Sequence, residues 1–191
     1  LPVLVNIVNS SLQSASVPLA FKTALVKPLL KKKNLDPNEC KNFRPISNLP
    51  YISKLLERVV SEQFVHHLNT HGLLDKYQSA YRTGHSCETA LLRVMNDVLC
   101  SADRGDLTLL VLLDLSAAFD VIDHGLLLAR LRKEIGITDA AHRWFSSYLE
   151  GRSQRVMVGQ ALSREYALGC GVPQGSVLGP ILFSTYTHQL G

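Results

Sequence analysis

The chain has 191 residues, of which 46% are hydrophobic and 19% are charged, which is enough for one domain with a buried core. Its longest apolar run, residues 107–113, is far too short to span a membrane, and the N-terminus lacks the basic region of a signal peptide. The missing initiator Met indicates a piece of a longer chain. Four cysteines without metal-ligand spacing argue against zinc and against a secreted disulfide scaffold, and favour a reducing compartment.

The net charge of +4 is unevenly distributed along the chain. The first 93 residues hold 12 Lys and Arg against 6 Asp and Glu, whereas the remaining residues hold 8 against 10. A basic first half and a slightly acidic second half suit a polyanion-binding segment joined to a metal-binding one. A chance asymmetry among solvated side chains is the alternative.

The first elements are a helix remnant and a strand. The Ser- and Asn-rich residues 1–20 predict the tail of an upstream helix whose packing partner is absent. Residues 27–30 predict a short strand that ends in a basic turn, residues 31–33. The turn chemistry of residues 34–38, which include Asp-Pro-Asn, supports that ending.

Two helices are predicted next. After Pro50, apolar residues recur at helical spacing until His71-Gly72 stops the pattern. The second helix is capped by Ser86, and its apolar stripe, residues 91–99, predicts a core face in which Met95 fills space. Residues 107–114 follow as a continuous apolar run with β-branched members, which predicts a strand covered on both faces and ending in a carboxylate.

The rest of the chain mixes helices and strands. It predicts helices over 126–135, from Thr138-Asp139 onward and over 181–190, a hairpin between 155–158 and 166–168, and a Gly/Pro-punctuated loop between 169 and 180. No strict alternation of strand and helix is present. The pattern therefore favours the α+β class.

Asp114 is the sharpest candidate for chemistry. A carboxylate at the exit of a buried strand is costly unless it is paired or bound to a metal, and its apolar neighbours offer no counter-charge. Mg²⁺ prefers carboxylate oxygens, so a metal site is one interpretation. The alternative is that Asp114 caps the following helix through the amides of Ser116 and Ala117.

The second candidate is the loop GVPQGSVLGP, residues 171–180. Its glycines allow a close approach of the backbone to a ligand, and Gln174 can read a base or sugar edge. It is neither a dinucleotide-binding nor a Walker loop. Ser176 also lacks the surrounding pattern of a hydrolase nucleophile elbow, which leaves a serine hydrolase using Ser176 and His124 as a remote alternative.

Together, these segments resemble motifs A and B of reverse transcriptases from LINE-type non-LTR retrotransposons. The phrases are LLDLSAAFDVIDH and GVPQGSVLGPILF, and upstream NFRPISNLPYISKLLERVV, QSAYRTGHSCETAL and WFSSYLEGRSQRV are similar to further motifs of that family in the correct order. The resemblance runs from about residue 22 to 191. It implies right-hand polymerase fingers over 22–106 and a partial palm over 107–191, preceded by an upstream segment, 1–21.

The resemblance also implies roles for individual residues. Asp114 matches the first catalytic carboxylate and a ligand of two Mg²⁺ ions, with the Leu115 backbone carbonyl as a second donor. Phe119 matches the steric gate that excludes a 2′-hydroxyl; core packing is its alternative. The residues that match nucleotide- or template-binding positions are Arg44, Lys54, Arg82, Gln174 and Gly175. Lys31–Lys33, Arg152 and Arg155 are weaker candidates, expected to be solvated.

The resemblance implies an RNA-directed DNA polymerase that uses an RNA template, a DNA primer and deoxynucleoside triphosphates, in the nucleus or cytoplasm and not in a membrane. The family's next motif, Tyr-x-Asp-Asp, supplies two more aspartates and is not found in this sequence. We therefore expect a fragment, truncated before the catalytic hairpin, that does not polymerise by itself and dissolves poorly. A non-catalytic nucleic-acid-binding remnant is the alternative function.

Overall fold

The structure is a computed structural model that describes residues 2–115 and 117–188. Its helices are α1 Pro2–Ser14, α2 Tyr51–Thr70, α3 Cys87–Asp103, α4 His124–Lys133, α5 Asp139–Leu149 and α6 Gly179–Tyr186. Its strands are β1 Thr23–Leu30, β2 Phe43–Asn48, β3 Arg152–Val158, β4 Ala161–Leu162 and β5 Tyr166–Leu168. None of the helices so described is long and apolar enough to cross a bilayer.

The sheet is mixed and confirms the predicted combination of helices and strands. Strands β2, β1 and β3 lie side by side; β1 pairs antiparallel with β2 and parallel with β3. Strand β5 folds back on β3 in an antiparallel pair, as predicted, but it pairs with residues 152–154 and not with 155–158. Residues 157–158 pair instead with β4, which was not predicted. The sheet thus joins strands from the regions predicted as fingers and as palm.

The hydrophobic core lies mainly between α2, α4, α5 and α6. Its fully buried members include Leu56, Leu127, Leu131, Leu149 and Leu182. Burying a leucine side chain contributes about 1.5–3 kcal/mol. The core is therefore built by the helices whose apolar spacing the sequence predicts.

Several predicted boundaries are confirmed. Helix α2 follows Pro50 and ends before Gly72, whose φ of 62° suits glycine. The Ser86 hydroxyl accepts the Thr89 N–H at 3.2 Å at the start of α3, and the Thr89 hydroxyl accepts the Ser86 N–H, a capping box. Helix α5 begins after Thr138, although that hydroxyl donates to the Asp139 carboxylate. Helix α6 begins two residues earlier than predicted, and its predicted end lies outside the described residues.

The expectation that the first helix lacks a packing partner is wrong. Helix α1 packs against α5, where the Trp144 indole N–H donates to Ser11 Oγ at 3.1 Å. Just after α1, the Val17 N–H donates to Ser147 Oγ at 2.9 Å. Val8 and Val17 complete the contact from the N-terminal side, so α1 is an integral part of the core.

The predicted buried strand over residues 107–114 is also wrong. These residues have no regular secondary structure, and their apolar side chains are exposed, Leu112 by 83% and Leu113 by 90%. A strand needs a neighbour for its backbone N–H and C=O groups, and none of the described strands pairs with this segment. The apolar run predicts that these side chains are buried, but no described residues cover them.

The apolar stripe of α3 shares this exposure. Met95, which we expected to fill core space, is 52% exposed, and no residue of α3 is buried. The capping box and helical spacing act within the helix, so α3 forms locally even though no described element covers its stripe.

Candidate functional site

The loop that begins at Gly171 is hydrogen-bonded to the segment that follows Asp114. The Gly171 N–H donates to the Ile122 carbonyl and the Val172 N–H to the Phe119 carbonyl, both at 2.8 Å. His124 Nε2 lies 2.7 Å from the Gly171 carbonyl oxygen, which gives His124 a structural contact. The two sequence motifs, about 50 residues apart, therefore meet at one backbone junction.

Strand β2 holds the middle of the same loop. The Ser47 N–H donates to the Gln174 carbonyl at 2.8 Å. Gly175 has a φ of 114°, and a Cβ there would lie 2.9 Å from the Ser47 carbonyl oxygen, so a side chain is excluded. The Gln174 side-chain oxygen is buried and has no hydrogen-bond partner among the described residues.

Helix α2 holds the far end of the loop through a buried carboxylate. Glu57 is 1% exposed, and its Oε2 accepts the Val177 N–H at 2.8 Å and the Leu178 N–H at 3.1 Å. The Tyr148 hydroxyl donates to the same oxygen at 3.2 Å, and the Ser53 hydroxyl to Oε1 at 3.3 Å. Four donors thus stabilise this charge.

A buried guanidinium lies beyond Tyr148. Arg152 is 2% exposed, donates from Nη1 to the Tyr148 carbonyl at 2.7 Å and places Cζ 4.7 Å from the centre of the Tyr148 ring. Burial, followed by the negative charge of Glu57, raises the pKa of Tyr148. The expectation that Arg152 is solvated is wrong because β3 carries it into the interior beside α5.

Asp114 lies beside an open cleft. A cavity of about 440 Å³ is bordered by Leu113 and Leu115, by the loop containing Gln78 and Tyr81, and by Phe183 of α6. Its size is within the range of small-ligand sites, which is about 300–1,000 Å³. The Asp114 side chain is exposed and makes no hydrogen bond or ion pair with residues 2–115 or 117–188.

Phe119 connects this cleft to the core. Its ring is half-buried and lies 5.3 Å, centre to centre, from the ring of Phe183, which borders the cleft. That contact supports the packing alternative and leaves part of the ring accessible. The alternative role of Asp114 as a helix cap involves Ser116, which lies outside the described residues. Among the described residues between Asp114 and His124, no helix begins.

The predicted basic residues are more dispersed. Arg44 is exposed on β2 and Lys54 is half-buried in α2, and neither side chain has a hydrogen bond or ion pair with a described residue. Arg82 is half-buried and donates from Nη1 to the Asp75 carbonyl at 3.1 Å, which holds the loop that borders the cleft. The described contacts therefore join Phe119 to the start of the loop and Gln174 and Gly175 to β2, and they involve none of these three cations.

The described donor atoms form neither a cluster of metal ligands nor a serine–histidine pair. Within the described ranges, no group of three or more His, Cys, Asp or Glu residues could hold a metal ion. Asp114 fits one carboxylate ligand, but a complete two-ion shell does not fit these residues alone. Ser176 accepts the Gly179 N–H at 3.0 Å and His124 contacts Gly171, so the serine-hydrolase arrangement is not formed.

Sequence reasoning missed Glu57 and Tyr148 as site residues, and it named Arg152 only as a weaker, solvated candidate. A signal for Glu57 existed, because Ser53, Glu57 and Val60 follow one another at helical spacing on the buried side of α2. A charged residue within a buried stripe indicates a buried partner. Nothing in the local sequence indicates that the partner is a loop 120 residues further on.

Comparison with known proteins agrees with the resemblance. The reverse transcriptase (RNA-dependent DNA polymerase) family matches residues 30–191. The probable RNA-directed DNA polymerase from transposon X-element of Drosophila melanogaster is 31% identical over 95% of this chain. The RNA-directed DNA polymerase from mobile element jockey of Drosophila funebris is 32% identical over 98%. The chain spans about one fifth of the length of each relative. It thus belongs to the reverse transcriptase family, in the branch of the non-LTR retrotransposons.

Proposed function

We propose that the chain contributes the fingers and part of the palm of an RNA-directed DNA polymerase that copies a retrotransposon RNA. Its substrates are an RNA template, a DNA primer and deoxynucleoside triphosphates. The observation that carries the proposal is the backbone junction between Gly171–Val172 and Phe119–Ile122. This junction supports the proposal because it joins the segment that follows Asp114 to the loop that contains Gln174, and nucleotidyl transfer requires its reacting groups to be held close together.

Asp114 is the proposed catalytic carboxylate and, with the Leu115 carbonyl, a magnesium ligand. Reverse transcriptases use Mg²⁺, which neutralises phosphate charge and stabilises the leaving group when it is bound. Asp114 is exposed and unpaired within the described structure, and its neighbours Leu113 and Leu115 border the cleft, so its carboxylate is available for this role. Because a single carboxylate cannot hold two ions, we expect the 191-residue chain alone to show no primer extension.

The remaining site residues would bind the nucleotide and template. Gln174 offers a buried, unpartnered side-chain oxygen that a hydrogen-bond donor on a ligand would satisfy, and Gly175 leaves the backbone accessible. The accessible part of the Phe119 ring would exclude a 2′-hydroxyl. Arg44 and Lys54 would contact phosphates, since both have uncommitted side chains within the described structure.

Arg82 has a more restricted proposed role. One nitrogen of its guanidinium holds the Asp75 carbonyl, so we propose that it shapes the cleft wall while it contacts phosphate through its other donors. Its replacement by lysine would keep the charge but lose the fixed fork of donors.

Primer extension on an RNA template by the full-length protein that contains this chain tests the proposal. We expect Asp114→Asn to lower the rate by at least about 100-fold, equivalent to about 2.7 kcal/mol. Asp103→Asn is the matched control because Asp103 is also an exposed acid, in the last turn of α3, and it should retain activity. Equal activity of both variants would exclude Asp114 as the catalytic carboxylate.

Phe119→Val tests the nucleotide preference in the same assay. If the ring excludes the 2′-hydroxyl, the variant should incorporate ribonucleotides more readily relative to deoxynucleotides. If Phe119→Val loses the packing against Phe183 but the ratio of ribonucleotide to deoxynucleotide incorporation does not change, Phe119 only supports the core.

A non-catalytic nucleic-acid-binding remnant is the second candidate. It is favoured by the absence, among the described residues, of a group of three or more side chains that could hold a metal ion, and by the basic first half of the chain. Salt-sensitive binding of a primer–template duplex without extension by the full-length protein would support it. Extension that Asp114→Asn abolishes would exclude it.

A further inference from the structure

Glu57 is buried and lies on a helix that neither candidate motif includes. Oε2 of its carboxylate accepts two consecutive backbone N–H groups, those of Val177 and Leu178, immediately before α6 begins at Gly179. The first N–H groups of a helix have no partner within the helix, and a negative charge there is favourable. Glu57 therefore binds, from α2, the two residues that lead into a different helix, while the first N–H of that helix, from Gly179, donates to Ser176 Oγ.

The Glu57 carboxylate is held in place by hydrogen bonds from the surrounding residues. No lysine, arginine or histidine of the described residues forms an ion pair with Glu57, so its charge depends on hydrogen-bond donors. Tyr148 and Ser53 provide two of these donors from its own side of the loop. An unpaired carboxylate this deeply buried would otherwise be strongly destabilising.

Beyond its junction with Phe119 and Ile122, the loop is held at two further points only a few residues apart. Ser47 binds the Gln174 carbonyl at one point, and Glu57 binds Val177 and Leu178 at the other. Gln174 and Gly175 are the proposed nucleotide- and template-binding residues. Gln174 is itself bound by Ser47, and Gly175 lies between Gln174 and the two residues that Glu57 binds. Releasing either anchor frees this segment to move relative to the cleft.

We propose that Glu57 is a positioning residue that fixes the loop 174–178 and so sets the affinity for the incoming nucleotide. The effect on nucleotide affinity rests on the proposed function. The hydrogen bonds by which Glu57 holds the loop do not depend on it. Tyr148 orients the Glu57 carboxylate, and Arg152 in turn holds Tyr148 through its carbonyl and its ring face.

Hydrogen exchange tests the anchoring without any need for activity. In the full-length protein, Glu57→Gln should make the Val177 and Leu178 amides exchange about tenfold faster, since bonds to a charged acceptor are roughly twice as strong as neutral ones. Glu62→Gln is the matched control, because Glu62 lies on the same helix with a side chain 76% exposed. Unchanged exchange in Glu57→Gln would overturn the proposal.

A milder variant keeps the test decisive if Glu57→Gln does not fold. Tyr148→Phe removes one donor to the carboxylate but keeps the ring beside Arg152, so exchange of the same two amides should rise about threefold. Exchange equal to that of the unaltered protein would show that the donors do not act on the loop through Glu57.

Steady-state primer extension by the full-length protein tests the link to the nucleotide. Glu57→Gln should raise the KM for deoxynucleotides about tenfold while kcat changes less, because the loop is displaced but the reacting groups remain. Glu57→Asp, which is shorter by one methylene, should give only partial recovery. Faster amide exchange with an unchanged KM would refute the positioning role of Glu57. If the unaltered protein shows no primer extension but Glu57→Gln still exchanges faster, the proposed function is refuted, while the hydrogen bonds from Glu57 to the loop are confirmed.

Discussion

Replacing Gly171 with alanine should separate the two motifs at their junction. Gly171 has a φ of 79°, and a Cβ there would lie 2.8 Å from the Asp120 carbonyl oxygen and 3.0 Å from the Asp120 Cα. These are backbone atoms and cannot turn away as a flexible side chain could. Either the loop or the segment containing Asp120 must therefore move.

The expected cost has two parts. An alanine with a left-handed φ costs about 1–2 kcal/mol. Moving the Asp120 backbone weakens the bonds from the Gly171 N–H to Ile122 and from the Val172 N–H to Phe119, each worth about 1 kcal/mol. The total is about 3–4 kcal/mol, which corresponds to a fall in Tm of roughly 10 °C for a chain of this length.

Urea unfolding, followed by the fluorescence of the buried Trp144, measures this change in the 191-residue chain. Gly159→Ala is the control for strain alone, because Gly159 has a φ of 60° and no atom within 4 Å of a Cβ. Gly169→Ala is the control without strain or contact. If Gly171→Ala and Gly159→Ala lose the same free energy of unfolding, the close approach to Asp120 does not exist as described.

Three further predictions concern stability and association. Burial and the charge of Arg152 lower the pKa of Lys22, so Lys22→Met should raise Tm at about pH 7. The gain should shrink as the pH rises past 10.5, the ordinary lysine pKa, because the unfolded state then loses the same charge, and thermal melts on both sides of that value check this. Leu131→Ala should cost about 2–5 kcal/mol in urea unfolding, because Leu131 is fully buried. Leu112→Ser should change the free energy of unfolding by less than about 0.5 kcal/mol yet reduce self-association in sedimentation velocity, because Leu112 lies in an exposed apolar run.

Local sequence was sufficient for most helices and for the β3–β5 hairpin. Helix α2 follows from apolar spacing between Pro50 and Gly72, and α3 from the capping box at Ser86. These signals act between residues three or four positions apart, so they do not need the rest of the fold. The order of the motifs likewise sufficed to identify the family, because it is a property of the chain alone.

The same local reasoning was wrong for residues 107–114, where hydrophobicity predicts burial. Burial and strand pairing need a second surface, and the described elements leave Leu113 exposed. Asp114 consequently lies in an exposed segment whose neighbouring residues Leu113 and Leu115 border an open cleft, instead of at the exit of a covered strand. The environment predicted for Asp114 was wrong, and its catalytic role stays a prediction.

The sequence by itself determined the family, the helical framework and the residues of the two motifs, because each depends on patterns within short stretches of chain. Only the tertiary structure decided that Glu57 anchors a loop 120 residues away and that Gly171 touches Asp120. Such contacts depend on the three-dimensional packing of α2, α5 and the loop, and a hydrogen bond between distant residues leaves no local pattern in either partner.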